Sequence, residues 1–534
     1  MSEKINAISE TRRRALLGLA VLGFSHITTR TWALELDATS HAQPSAALTD
    51  AQAQEQLWDV IVVGSGLAGS ASALAALEAG ATRVLLLEKG PIMGGHSAYS
   101  TGSLTAVRHR SDKKGNARAS QTHEATGSTT DSDWEAQVES LWTESREVGG
   151  QSADEALIRK LGRDSEAAVA WLEAHGVRFS PTVFQSLGGL APRSIIARSA
   201  QPGLTYTRAL YEAARAQGLL VWLNARLTGL KPLQSDATKG WTLEVARDDV
   251  PVTLHARSVV LATGGFTANS EMLRSVAPWL PPNMRTTANP KDLYFDGAEG
   301  DGIRLAQSVG AALKDMENVQ LMPLWGGRLL DYVGGDIFLN AQGQRFVNEG
   351  ASWKTLEEAM LRLPEQTMWV VTDAQSNKGL SLGVKLADGT VKKSDTVAEM
   401  ALGMGIDAAV LQKTLNDYNR WAKEGRDPLF GKTTFTQTID KPPYYWGKEQ
   451  LFMHTTLGGV AINARAQVLR DDGSVLPGLY AAGETVGGLF GKSRLGGLAM
   501  TACVVFGREA GRQAARYAQS AKGKPQGENL SLGR

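Results

Sequence analysis

The chain has 534 residues, 43% of them apolar, and its 56 Lys and Arg almost cancel its 55 Asp and Glu. That length implies about three folding units with cores of ordinary size, and the charge balance leaves no global field to gather nucleic acid or coat an anionic membrane, so small molecules are the expected partners. The single cysteine, Cys503, excludes an internal disulfide, a cysteine-ligated iron–sulfur cluster and a Cys-x-x-Cys-His haem attachment, and no metal site is expected.

In chain order, Thr11-Arg12-Arg13-Arg14 precedes an apolar run from Ala15 to Phe24 and a small-residue site near Ala33. Residues 1–33 therefore resemble a twin-arginine signal, which implies the Tat export machinery as a partner and a periplasmic location. The run is too short to span a bilayer, so no membrane span is expected in the mature protein. Residues 34–55, rich in Ala, Gln, Ser and Asp, predict a flexible linker.

The fold is expected to start at Asp59. Val60-Ile61-Val62-Val63 leads into Gly64-Ser65-Gly66-Leu67-Ala68-Gly69, then an Ala-rich helical stretch, then Arg83-Val84-Leu85-Leu86-Leu87-Glu88. Continuous apolar strands around a helix predict a βαβ unit of a parallel sheet covered on both faces. Gly64 permits a tight turn, Gly66 lets the backbone approach a pyrophosphate, and Gly69 allows close packing of helix on strand. The helix N-terminus, at Leu67 and Ala68, offers N–H groups and a positive dipole. Glu88, ending the second strand, can accept from ribose hydroxyls and disfavours a 2′-phosphate, leaving FAD or NAD. Nothing after Glu88 resembles a second nucleotide site for nicotinamide.

Two more strands end in glycines: Val259-Val260-Leu261-Ala262-Thr263-Gly264-Gly265 and Gly478-Leu479-Tyr480-Ala481-Ala482-Gly483-Glu484. In this order the segments resemble the flavoprotein family of fumarate reductases, succinate dehydrogenase flavoprotein subunits, L-aspartate oxidase and 3-ketosteroid dehydrogenases. The likeness runs from Asp59 to about Tyr517 and is densest toward soluble periplasmic flavocytochrome-type fumarate reductases. Stretches that carry it include Gly300-Asp301-Gly302, Arg345-Phe346-Val347-Asn348-Glu349, His454 to Val460 and Arg494-Leu495-Gly496-Gly497.

The resemblance implies FAD. It also implies a doubly wound, Rossmann-like α/β domain formed by residues 55–320 and 448–520, an inserted α+β capping domain at 321–447, and a tail at 521–534. Substrate would lie between the two, with Tyr444, Tyr445 and Trp446 packing the hinge. Glu484 would contact the ribityl chain, and the helix after Leu495 and Gly496 would aim its N-terminus at the flavin. Lys89, Gly95, Ser97, Thr101, Gly102, Ala262, Thr263, Gly264 and Gly483 complete the implied cofactor contacts. His96 occupies the place of the histidine that carries covalent flavin in succinate dehydrogenases. Two readings stay open for it, an 8α-histidyl bond or contact with the dimethylbenzene edge.

The substrate end departs from the family. Counting from Arg345 puts Trp353 where fumarate reductases keep their acid arginine, and counting from Met316 puts Met322 where they keep a carboxylate-binding histidine. The proton-path segment reads Leu329-Leu330-Asp331-Tyr332. Tryptophan cannot deliver a proton at neutral pH, so fumarate is not the expected substrate, and Met322, Trp325 and Trp353 predict an apolar pocket. Arg494 matches the arginine that binds a substrate carboxylate or oxyanion, and His454, or Thr455 if the register slips by one, matches a second contact. Tyr332 is the candidate acid or base, by analogy with 3-ketosteroid dehydrogenases, and Asp331 is a weaker one.

Two functions follow. One is an FAD-dependent dehydrogenase or reductase of a CH–CH or C=C bond beside a carbonyl or carboxylate, exchanging electrons with a separate carrier, whether a cytochrome, a quinone or oxygen. The other is a periplasmic flavoprotein electron-transfer subunit with no substrate of its own.

Overall fold

A computed structural model describes residues 49–108, 131–281, 284–289, 295–323, 326–378 and 382–522. The signal segment, most of the linker, Trp325 and residues 523–534 lie outside them. The end of the expected linker is helical: α1 (Asp50–Glu55) starts with a capping box from Thr49, and its buried Ala53 accepts from Trp58 Nε1 at 3.2 Å. Burying Ala53 against the first strand is what overrides the polar composition of this stretch.

From there the chain forms β1 (Leu57–Val63), α2 (Leu67–Glu78) and β2 (Val84–Leu87). Asp59, 1% exposed, pins the return turn by accepting from the N–H and hydroxyl of Thr82. The short α3 (Gly95–Tyr99) follows, and then β3 (Leu220–Trp222), β4 (Ala225–Pro232), β5 (Trp241–Arg247) and β6 (Val250–Leu261). β1, β2 and β6 are parallel, with Val63 opposite both Leu87 and Leu261.

A second, antiparallel sheet holds β7 (Val319–Pro323), β8 (Ile337–Leu339), β9 (Thr367–Thr372), β10 (Lys392–Ser394) and β11 (Tyr444–Thr456). Around it lie α4 (Trp353–Leu361), α5 (Leu382–Ala387), α6 (Val397–Met404) and α7 (Ala408–Glu424). This layer has its own core of Ile337, Val371, Leu411, Leu415 and Tyr418, which also takes in Tyr444 and Trp446. Those two residues are thus strand residues of the cap interior, paired with Ser394 and Val371, and not hinge packing.

The chain then returns to the first sheet through β12 (Gln467–Leu469) and β13 (Val475–Ala481) and ends in α8 (Leu498–Lys522). β13 pairs parallel to β6, giving an eight-stranded sheet in the order β12-β13-β6-β1-β2-β3, with β4 and β5 attached beside β6. α8 packs on α2 through small residues: a Cβ at Gly511 would lie 2.1 Å from the Ser72 carbonyl oxygen. The fold is the mixed α/β architecture expected. Among the described residues no helix is long and apolar enough to cross a membrane.

Candidate functional site

Register brings the carboxyl ends of four parallel strands to one edge, where Gly64, Glu88, Ala262 and Ala482 follow directly. Such an edge is where open α/β sheets bind ligands. It opens into a cleft of about 1270 Å³, mouth included, lined by Gly64, Gly66, Leu67, Ala68, Glu88 and Lys89, by Gly95, His96 and Ser97, and by Ala262, Thr263, Gly264, Gly483 and Glu484.

The glycines do different work. Gly64 has φ +102°, and a Cβ there would lie 2.2 Å from the Ala262 carbonyl oxygen. Gly69 is not part of the cleft lining; its Cβ would fall 1.8 Å from the Gly64 oxygen, so it is needed for packing. At Gly66 a Cβ would meet no protein atom closer than 3.5 Å. The protein itself leaves room there, as a backbone that must touch a ligand requires. α2 begins at this glycine, which has no side chain to cap it; Leu67 N–H donates to Ser97 Oγ at 3.1 Å, and such a helix start suits a diphosphate. Glu88 is held by Ser65, whose N–H and hydroxyl donate to Oε2, and by Gly90 N–H, which donates to Oε1 at 2.7 Å. These features fit a dinucleotide.

Several lining residues carried no sequence signal: Ala225, Arg226 and Leu227 of β4, and Phe295 and Ala298; Asp301 lay in a family stretch but was given no role. Lys89 donates to Glu299 and Asp301, and Asp301 also pairs with Arg226 and Arg304. Gly102 is not in the cleft. With φ +79° it packs on Pro202, and its carbonyl accepts from Tyr206 at 2.8 Å.

A second cavity shares His96, Ser97, Tyr99, Gly483, Glu484 and Cys503 with the first. Thr101, Gly496 and the start of α8 line it; Leu495 is buried behind it. His96 Nε2 lies 2.7 Å from Asp296 Oδ1 on this shared wall, and Thr286 Oγ1 donates to the other Asp296 oxygen. Burial disfavours the imidazolium, but Asp296 outweighs it and the His96 pKa is pushed up to about 9. Glu484 Oε1 accepts from the N–H and hydroxyl of Thr456.

Arg494, His454 and Thr455 meet in this second cavity. Arg494 Nη2 lies 2.9 Å from His454 Nε2. A guanidinium can only donate, so Nε2 is the acceptor, and Nδ1 carries the proton it donates to Thr287 Oγ1 at 2.9 Å. Burial and the Arg494 charge hold the His454 pKa well below its ordinary value, so the ring is neutral. Arg494 donates otherwise to the Leu495 carbonyl and, through its N–H, to Gln320 Oε1; its Nε has no partner among the described residues. Burial lowers its pKa, to about 10 against the pull of Glu484. Thr287 was missed because no motif marks a lone hydroxyl; Gln320 is the glutamine of a Met-x-x-x-Gln family segment that begins at Met316, but it was given no role.

Thr455 lines the cavity, but its hydroxyl donates to the Thr456 carbonyl. Met322 and the buried Trp353 line it as expected; the Trp353 indole fits only because position 188 is glycine, where a Cβ would fall 2.1 Å from Nε1. Tyr332 is not brought there. Its hydroxyl accepts from Asn377 N–H at 3.1 Å, and burial raises its pKa, which fits the packed cap wall that holds it and not an acid or base. The wall is also less apolar than expected, because Arg328 and Asp331 line it.

A profile of the FAD-binding domain family matches residues 59–500. The chain is 30% identical over 498 residues to a fumarate reductase (cytochrome) of Shewanella frigidimarina, covering 90% of this chain and 81% of that protein. It is 31% identical over 479 residues to a urocanate reductase of Eggerthella lenta, covering 86% and 75%. Among solved structures, the 3-ketosteroid-Δ4-(5α)-dehydrogenase of Rhodococcus jostii RHA1 in complex with 4-androstene-3,17-dione matches with a TM-score of 0.64 and 25% identity, over 86% of this chain and 97% of that one. The chain thus belongs to the FAD-binding flavoprotein family of the fumarate reductases and is an FAD-dependent oxidoreductase.

Proposed function

We propose that the protein reduces, or in reverse forms, a C=C bond conjugated to a carbonyl or carboxylate, and that fumarate is not its substrate. The observation that carries this reading is Arg494: a buried guanidinium in the cavity that abuts the dinucleotide cleft, bonded to a neutral histidine and not to a carboxylate. Such a group is a ready partner for an oxygen that gains negative charge during reaction. His454 orients it without competing for its charge. FAD supplies the two-electron exchange when bound. The relatives act, by their names, on fumarate, urocanate and a ketosteroid, and these share an unsaturated bond beside an oxygen or ring acceptor. Trp353 in place of the expected acid arginine supports the exclusion of fumarate. Electrons are exchanged with a separate carrier, a cytochrome, a quinone or oxygen.

The test is stopped-flow reoxidation of the reduced holoprotein by fumarate, acrylate, cinnamate, urocanate and a steroid enone. At least one compound other than fumarate is expected to reoxidise it, and Arg494→Gln to slow that step by about 10²-fold or more. Silence toward the whole panel would leave an electron-transfer subunit as the better account.

A further inference from the structure

Resting on that reading, a second cation in the same cavity says what else the substrate carries. Arg328 lines the wall with Arg494, His454 and Trp353. It lies between β7 and β8, in a stretch that no motif marked. Both of its backbone polar atoms are held by charged side chains: its N–H donates to Glu449 Oε1 at 2.7 Å, and its carbonyl accepts from Lys385 Nζ at 2.6 Å. Glu449, on β11, is 1% exposed. The side chain is fixed as well, with Nε donating to the Leu330 carbonyl at 3.0 Å and Nη1 to the Pro323 carbonyl at 3.2 Å. Its guanidinium stands 5.9 Å from the centre of the Trp353 ring, and the side chain is 8% exposed.

The Arg328 charge is met only loosely. The ion pair with Asp331 Oδ1 spans 3.9 Å from Nη2, beyond a hydrogen bond, and the buried Glu449 and Asp336 act on it through space with no hydrogen bond to its guanidinium. Neutral carbonyls satisfy donors but do not pair a buried charge, and a guanidinium held by two hydrogen bonds on an anchored backbone has already lost much of the rotamer freedom that binding would otherwise cost. Trp353, which removes the family's acid from this place, shields the fork from water and so strengthens its grip on an anion.

We propose that Arg328 is a second anion anchor of the substrate cavity, gripping a carboxylate distinct from the oxygen that faces Arg494. The substrate class narrows to unsaturated acids with two acceptor groups, one conjugated to the C=C bond and one anionic at the Trp353 end. Arg328 is a specificity-determining residue in this scheme, and Lys385 and Glu449 position it.

Binding tests this without turnover. Oxidised holoprotein is titrated with fumarate and monomethyl fumarate, and with 4-carboxycinnamate and its 4-methyl ester, following the difference spectrum of the bound FAD. In at least one pair the diacid is expected to bind wild type on the order of 30-fold more tightly than the half-ester. Arg328→Gln should erase that discrimination, and Arg328→Lys, which keeps the charge but loses the fork, should restore part of it. Equal binding of acid and half-ester in both pairs, discrimination that survives Arg328→Gln, or no spectral change with any of the four compounds at millimolar concentration overturns the anchor. If Arg328→Gln fails to take up FAD, the wild-type pairs and Arg328→Lys still decide. Failure of every compound to reoxidise reduced flavin would count against the proposed reaction and leave these titrations valid.

Discussion

Single side chains decide how this site can hold its cofactor. His96 was legible from its place after two glycines, but its partner Asp296 was not, because 200 residues separate them and only folding joins them. That partner favours one of the two readings. Asp296 raises the His96 pKa toward the imidazolium form, in which neither ring nitrogen has a free lone pair for a bond to the flavin. FAD is therefore expected to be bound without a covalent link. Acid precipitation of the holoprotein should leave a colourless pellet and all the flavin in the supernatant; yellow colour retained by the washed pellet would show the bond. Tyr332 teaches the converse. Its place in a family segment suggested chemistry, yet the phenol lies in the cap wall, where its hydroxyl accepts from the Asn377 N–H.

At the scale of elements, the parallel strands and their glycine turns could be read directly, since period and turn chemistry are local properties. The cap was harder, because its charges make sense only in three dimensions. Arg345 and Glu349 were marked as a family stretch with no stated job. In the structure Arg345 makes a bidentate pair with Glu349 at 2.6 and 2.7 Å and also reaches Asp427, while Lys432 donates to Glu349 at 3.0 Å. Burial alone would raise the Glu349 pKa, but Lys432 and Arg345 outweigh it and bring it down to about 2. This cluster ties the turn after β8 to the loop after α7 and so holds α4, and with it Trp353, against the cavity. Glu349→Gln would strip the buried Lys432 of its carboxylate and leave Arg345 with Asp427 alone, at a cost of about 3–5 kcal/mol. The expected outcome is a lower melting temperature and faster proteolysis between β8 and β11, measured on the FAD-loaded protein. A melting curve matching wild type would refute it.

For the molecule as a whole, the resemblance of distant segments pointed to the strand after residue 470, which does pair with β6, while the strand-borne cleft residues Ala225 to Leu227 were invisible because they look like any other strand. The N-terminal signal reading lies outside the described residues and is open to direct test. Arg12→Lys together with Arg13→Lys should trap the flavin-loaded chain in the cytoplasmic fraction, whereas unchanged recovery from the periplasm would remove the twin-arginine assignment.

The position of β13 carries one more implication. It inserts beside β6 from near the end of the chain and delivers Gly483 and Glu484 to both cavities. A chain in which β1, β2 and β6 have paired but β13 has not yet joined them has an unfinished nucleotide cleft. Uptake of the yellow pigment therefore has to follow the docking of β13, however early the other strands form.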